Sequence, residues 1–268
     1  MKHQYVLCFS GGKDSTATLL YLIKEKNIVP IVTFQDTGNE SKDTYAYIDY
    51  ISGLLNGWTG TEVIKLKGEY DFFSLAIKKK RFPSMKARFC TEWLKIVPFL
   101  RWLEEQPYAD DCTIITGIRA AESKARSKRK EHEDKSTYGR PLWNPIITWS
   151  AAEVFAIHKK YRIDINPLYK KGLKRVGCFP CVNAGRNELI VLARHYPDRI
   201  AEIREVEKQT GLSYLPRRKF NKITGEAIVW TIDQHVAWAL KTLDGQMELG
   251  TIKQESTICA YAGLGVCE

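Results

Sequence analysis

Apolar and polar positions change register along the chain in a way that predicts alternating strands and helices. Residues 4–9 (Gln-Tyr-Val-Leu-Cys-Phe) form a short apolar run ended by glycines, the pattern of a buried strand. From Asp14 the spacing becomes helical, with Ala17, Leu19, Leu20, Leu22 and Ile23 on one broad face and Lys24-Glu25-Lys26 as a polar tail. Ile28–Phe34 reads as a second strand, and Ser41–Leu55 as a second helix with Tyr45, Ile48, Ile51 and Leu55 in step. Glu62–Leu66 and Cys112–Gly117 are further strand candidates, separated by a Trp- and Leu-rich helix over Thr91–Glu105. Strand alternating with helix predicts a parallel sheet covered on both faces, which binds ligands at the carboxyl ends of its strands. Ser10–Ser15, Asp36–Glu40 and Gly117-Ile118-Arg119 all fall at such ends. Ala120–Arg140 carries seven Lys and Arg with almost no apolar residue after Ala125, and reads as an exposed loop. Beyond about residue 175 the alternation stops and helices follow (Glu188–Thr210, Ile232–Thr242). The expected division is an α/β nucleotide-binding domain over 1–175 and a mainly helical, cysteine-bearing region over 176–268.

Charge changes the picture. The chain of 268 residues has 41 Lys and Arg against 31 Asp and Glu, a formal net charge of +10. Such an excess suits an anionic partner, nucleotide or nucleic acid, although a basic protein with no nucleic-acid role fits the same balance. No apolar run approaches the ~20 residues a bilayer requires, so no membrane partner is expected. Val6–Phe9 runs straight into Ser10-Gly11-Gly12 without an export signal, which makes a cytoplasmic protein the expectation. Seven cysteines in such a compartment argue against a disulfide framework and toward a metal, a cluster or redox chemistry.

The strongest chemical signal is Ser10-Gly11-Gly12-Lys13-Asp14-Ser15, between a strand and a helix. Two glycines let the backbone turn tightly against a ligand, and the helix that follows offers unpaired N–H groups and a positive dipole end. Ser10 and Ser15 add hydroxyl donors and Lys13 adds a point charge. This string resembles the PP-loop of the ATP pyrophosphatases, an adenine-nucleotide alpha-hydrolase-like group. Further strings resemble its phosphoadenosine-phosphosulfate (PAPS) reductase branch: Asp36-Thr37-Gly38-Asn39-Glu40 with Thr44 and Tyr47; Gly117 to Ser123 with Arg126; and Trp143-Asn144-Pro145-Ile146 with Trp149, Glu153-Val154 and Asn166-Pro167-Leu168-Tyr169. The resemblance implies a parallel five-stranded sheet with helices on both faces. It also implies an adenine nucleotide (ATP, or PAPS or adenylyl sulfate) bound by Ser10, Gly11, Gly12, Lys13, Asp14, Ser15, Asp36, Gly38, Glu40 and Gly117.

Cys178-Phe179-Pro180-Cys181 can present two thiolates to a metal or act as a dithiol. Arg88-Phe89-Cys90-Thr91-Glu92-Trp93-Leu94-Lys95 resembles the Cys-Cys-x-x-x-Lys motif of the cluster-bearing adenylylsulfate reductases, with Thr91 in place of the second cysteine. The resemblance implies a 4Fe-4S cluster on Cys90, Cys178, Cys181 and Cys267, with Cys259 as the alternative fourth ligand and zinc as the alternative metal. Cys8 and Cys112 lie in strands and read as small core residues. His158 and His195 read as core or surface helix residues, and His132 and His235 have no evident partner in sequence.

Two chemistries compete for this pattern. The reductases end in Glu-Cys-Gly-x-His, which this chain lacks, whereas its Ser-Gly-Gly-x-Asp-Ser loop is intact. The chain is similar to the PP-loop protein of DNA phosphorothioation and to cluster-dependent thiolases of transfer RNA. That likeness implies cleavage of ATP to AMP and pyrophosphate, adenylation of a DNA or tRNA acceptor, and sulfur supplied by a donor such as a cysteine desulfurase. Lys13, Asp14 and Arg119 are then the catalytic candidates, with Mg2+ near Asp14 or Asp36. Lys78–Arg81 and Lys124–Lys130 are the segments expected on nucleic acid. The alternatives are a sulfonucleotide reductase and a zinc-bearing nucleic-acid-binding module.

Overall fold

The computed structural model describes residues 3–134, 136–215, 218–220 and 227–247. In chain order the elements are β1 (Gln4–Phe9), α1 (Lys13–Leu20), β2 (Ile31–Asp36), α2 (Lys42–Thr59), β3 (Ile64–Lys67), α3 (Phe72–Lys78), α4 (Phe89–Thr91) and α5 (Val97–Glu104). There follow β4 (Cys112–Thr116), β5 (His132–Glu133), β6 (Leu142–Trp143), α6 (Ala151–Tyr161), α7 (Pro167–Lys170), α8 (Arg186–His195), α9 (Pro197–Thr210), β7 (Arg218–Phe220), β8 (Ala227–Val229) and α10 (Ile232–Met247). They divide into two compact units: 1–72, 89–167 and 175–179 in the first; 73–88, 168–174 and 180–268 in the second.

The first unit is built on a six-stranded sheet in the order β3-β2-β1-β4-β6-β5. Five strands were expected; the five from β3 to β6 are indeed mutually parallel, and β5 adds an antiparallel edge on β6. That edge comes from the charged segment after Ala125, where His132 pairs with Trp143 and Glu133 with Leu142, so the segment is less irregular than its composition suggests. β1 lies at the centre, with Val6 beside both Ile31 and Ile114. Its side chains alternate between faces as a pleat demands. Leu7 and Phe9 join Leu20, Ile48, Ile51, Leu55 and Val154 from α1, α2 and α6, while Val6 joins Leu66, Phe99, Leu103, Ile114 and Leu142 on the other side. Helices therefore cover both faces, as the apolar pattern predicts. Ser41 caps α2 through the N–H of Asp43, and Ser150 and Glu153 form a reciprocal capping box on α6.

In the second unit α8 and α9 divide what sequence periodicity presents as one helix. Tyr196 leaves helical geometry and Pro197 occupies the first turn of α9, where its missing N–H has no partner to lose. Buried Tyr214 packs between the rings of Phe73 and Phe82, at centroid distances of 6.2 and 5.0 Å, and its hydroxyl donates to the Pro180 carbonyl at 2.6 Å. The Glu207 carboxylate accepts from the N–H groups of Tyr214 at 2.7 Å and Ile232 at 2.8 Å, which caps α10. β7 and β8 form a short antiparallel pair within the predominantly helical second half. No helix among the described residues is long and apolar enough to cross a membrane.

Candidate functional site: the glycine turn and its rim

The turn between β1 and α1 is assembled from distant parts of the chain. Gly11 has φ of +69°, a conformation that favours glycine, and its carbonyl accepts from Asn166 Nδ2 at 3.1 Å. Ser15 Oγ donates to the Gly12 carbonyl at 3.0 Å and lies 3.2 Å from Ser10 Oγ, so the two hydroxyls face one another across the turn. Gly117 ends β4 hard against α1: a Cβ there would lie 2.7 Å from Ser15 Cα, so only glycine permits this approach. That approach brings Arg119 to the turn. Its Nε donates to Asp14 Oδ1 at 2.5 Å, while Lys13 Nζ donates to Asp14 Oδ2 at 2.7 Å. Asp14 is 8% and Arg119 6% exposed, so one buried carboxylate bridges two cations. The start of α1 is a buried charge cluster.

His158, which sequence alone leaves as a core or surface residue, belongs to this cluster. It is buried on α6, with Nε2 2.9 Å from the Lys13 carbonyl and Nδ1 3.2 Å from the Ile163 carbonyl. Burial holds its pKa below the ordinary imidazole range, against the two carbonyls and Asp14, which favour the charged form. Nothing in sequence marks a contact between residues 145 positions apart. Asn166 was visible as part of Asn-Pro-Leu-Tyr, without a role.

The second loop has a different economy. The Glu40 carboxylate is buried and accepts from the Thr37 hydroxyl at 2.8 Å and from the N–H groups of Thr37 and Asn39 at 3.1 and 3.2 Å. Asp36 Oδ1 accepts from Gly38 N–H at 2.9 Å and Tyr45 Oη at 2.6 Å. Glu40 thus organises the loop, and Asp36 is the more accessible carboxylate at the strand end. The Cys178 segment lies beside it: Glu40 and Cys178 form an antiparallel bridge, and Phe179 N–H donates to the Asn39 carbonyl at 2.6 Å. The Cys178 thiol is 3.9 Å from Glu40 Oε1 and 3.6 Å from Thr37 Oγ1. Lys95 is held above its ordinary pKa, first by the neighbouring Cys178 thiolate and then, against burial, by Glu40 and Cys90. Cys181 lies three positions after Cys178, and its N–H donates to Glu188 Oε1 at 3.1 Å. Cys259 and Cys267 lie outside the described residues.

The fit of the expected metals differs. Mg2+ is commonly held by one or two carboxylates together with substrate phosphates, and Asp36 meets that need; Asp14 has both oxygens engaged by cations. A cluster or zinc requires convergent ligands, and among the described residues no three Cys, His, Asp or Glu side chains come together as a metal-ligating group. Cys8 and Cys112 are core residues as expected, with burial raising the Cys8 thiol to about 12. His132 stacks on Trp143 at 5.7 Å.

Sheet and turn together define a doubly covered parallel α/β protein with a glycine turn leading from its central strand into a buried charge cluster. Residues 4–184 match the phosphoadenosine phosphosulfate reductase domain, and the chain belongs to that family. It is 29% identical to a 37.8 kDa protein of Escherichia phage 186, covering 98% of this chain and 96% of the relative. A Methanocaldococcus jannaschii protein is 32% identical over 74% of this chain, which spans 40% of that relative's length. An adenosine 5′-phosphosulfate reductase of Burkholderia cepacia is 33% identical over 36% of this chain and 37% of its own. Among solved structures, the Candida glabrata FMN adenylyltransferase in complex with FAD and inorganic pyrophosphate shares the fold, with a TM-score of 0.50 and 16% identity over 90% of this chain and 74% of that one.

Proposed function

We propose that this chain is an ATP-cleaving member of its family: it binds ATP at the rim of the sheet, releases pyrophosphate and leaves an acceptor adenylated for sulfur transfer. One observation carries the reading, the intact Ser10–Ser15 turn with Lys13 and Arg119 converging on buried Asp14. An acceptor oxygen attacks the α-phosphorus, the bond from that phosphorus to the bridging oxygen breaks, and pyrophosphate carries the electron pair away. The negative charge that develops is what preorganised cations and N–H groups stabilise. Lys13 and the amides of the turn stabilise the leaving group, Arg119 steadies the α-phosphate, and Asp14 holds both cations in place before ATP arrives. Mg2+ on Asp36 would neutralise phosphate charge. The acceptor is a nucleic acid, DNA or tRNA, and a cysteine desulfurase or similar donor supplies the sulfur.

Pyrophosphate release from ATP tests this directly. Lys13→Ala should slow it by about 10²–10³-fold, the usual effect of removing one transition-state donor, with little loss of stability because Arg119 still pairs Asp14. Full activity in that variant removes the assignment. The second reading is a sulfonucleotide reductase, favoured by the likeness to relatives of that name. It requires a thiol-dependent release of sulfite from a sulfonucleotide and no pyrophosphate.

A further inference from the structure

The second unit contains a cavity of about 980 Å3, near the upper end of the ~300–1,000 Å3 range of ligand pockets. Lys80, Arg81 and Lys86 stand on its wall, with Phe82, Met85 and Leu212 among its apolar lining, and among the described residues no acidic side chain lines it. Met85 is 72% exposed, an apolar side chain left in water at the mouth.

The two basic segments visible in sequence differ once folded. Over 120–134, five cations are flanked by four acids, and Arg126 pairs with Glu122 and Arg129 with Glu133, so the segment carries a net charge of +1. Over 78–88 (Lys-Lys-Lys-Arg-Phe-Pro-Ser-Met-Lys-Ala-Arg) there are six cations and no acid. Their backbone is fixed as well. α3 ends in a Schellman turn, with Lys80 N–H bonded to the Ile77 carbonyl at 3.0 Å and Arg81 N–H to Ala76 at 3.1 Å. The left-handed residue of that turn is Lys80, at φ +50°, where glycine is the usual occupant. The chain keeps a cation at a position whose backbone favours a residue without a side chain.

We propose that this cavity is a binding site for single-stranded nucleic acid, distinct from the glycine turn, with phosphates on Lys80, Arg81 and Lys86 and bases against Phe82, Met85 and Leu212. A concave site with an all-cationic wall and an apolar floor is what an unpaired strand needs: charge for its backbone and apolar surface for the faces of its bases. A duplex hides those faces and cannot use the floor. This binding stands whether or not the glycine turn cleaves ATP, because it is measured without nucleotide.

The test is fluorescence anisotropy of the full chain with labelled oligo(dT), oligo(U) and a duplex over a range of salt. Both single strands should bind, more tightly than the duplex, and log affinity should fall linearly with log salt. Replacing Lys80, Arg81 and Lys86 together by Gln should flatten that slope by about two, at ~0.7 for each lost phosphate contact. Lys80→Gly should flatten it by ~0.7 while leaving the melting temperature unchanged or raised, which separates a lost contact from a lost fold. Tighter binding of oligo(dT) than oligo(U), or the reverse, identifies the strand; either supports the site. The proposal is overturned if no salt-sensitive binding is seen, if polyglutamate or anionic vesicles bind in place of the oligonucleotides, or if the slope changes only when Lys128, Arg129 and Lys130 are neutralised.

Discussion

The glycine turn and the Cys178 turn are both short and both have cations for neighbours, yet they are held by different means. The glycine turn is pinned from far along the chain, by Arg119 on Asp14, His158 on the Lys13 carbonyl and Asn166 on the Gly11 carbonyl. The Cys178 turn is held by the Asp36–Glu40 loop, through the Glu40 bridge and the Asn39 carbonyl. The first arrangement fixes charges before a ligand arrives, which is what electrostatic catalysis requires. The second positions thiols beside Lys95 without bringing a third ligand to them among the described residues. Among the described residues, then, the first turn gathers two cations on one buried carboxylate, and the second gathers no third metal-ligating side chain.

The largest effect should come from breaking the bridge that completes the first site. Asp14→Ala leaves Lys13 and Arg119 facing each other without their shared acceptor. Removing one partner of a buried ionic cluster typically costs about 3–5 kcal/mol, and pyrophosphate release should vanish with it. Asp14→Asn keeps the shape and an acceptor oxygen, so it should lose activity with a smaller loss of stability. Denaturant unfolding beside the pyrophosphate assay measures both. An Asp14→Ala protein of unchanged stability would mean that the cations do not depend on this carboxylate, and the contrast with the cysteine turn would lapse.

How far the two regions could be read from sequence follows the same division. β1, β2 and β4 were legible because buried parallel strands are largely apolar runs, the edge strand β3 by the apolar residues around buried Leu66, and the turn because glycines, hydroxyls and Lys13 are contiguous. β5 and β6 have two residues each, too few to show a period, and β5 hides in a charged segment. The break between α8 and α9 was missed because apolar spacing continues across Tyr196-Pro197. His158 was illegible because its role depends on α6 packing against α1, a tertiary fact with no local signature. The cysteine set was legible as residue types only: spacing gives Cys178 and Cys181 a common segment, and nothing in sequence states which thiols converge.

The second prediction decides what that cysteine set holds. If Cys90, Cys178 and Cys181 are joined by Cys267 or Cys259, protein purified without oxygen should contain iron and acid-labile sulfide, absorb visible light and bleach in air. Cys90→Ala, Cys178→Ala and Cys181→Ala should each lose the colour, and the pair Cys259→Ala and Cys267→Ala should identify the fourth ligand by which one loses it. Stoichiometric zinc without iron would assign the set to a structural metal. Pyrophosphate release by colourless protein would show that the glycine turn works without it.

The smallest effect concerns His158, and its sign follows from burial. The folded protein holds this imidazole below its ordinary pKa near 6.5, whereas the unfolded chain restores the ordinary value. Between the two values the unfolded chain binds the extra proton, so the stability contributed by neutral His158 is present above pH ~6.5 and is lost as pH falls below it. The slope from one such group is at most about 1.4 kcal/mol per pH unit. His158→Gln retains a donor for one carbonyl and cannot take up the proton, so its stability between pH 7 and 5 should fall less steeply than that of the natural chain, measured as urea midpoints on both proteins. Parallel stability curves for the two proteins would place the acid sensitivity elsewhere and reduce His158 to a packing residue, leaving Asn166 and Arg119 as the long-range ties on the turn.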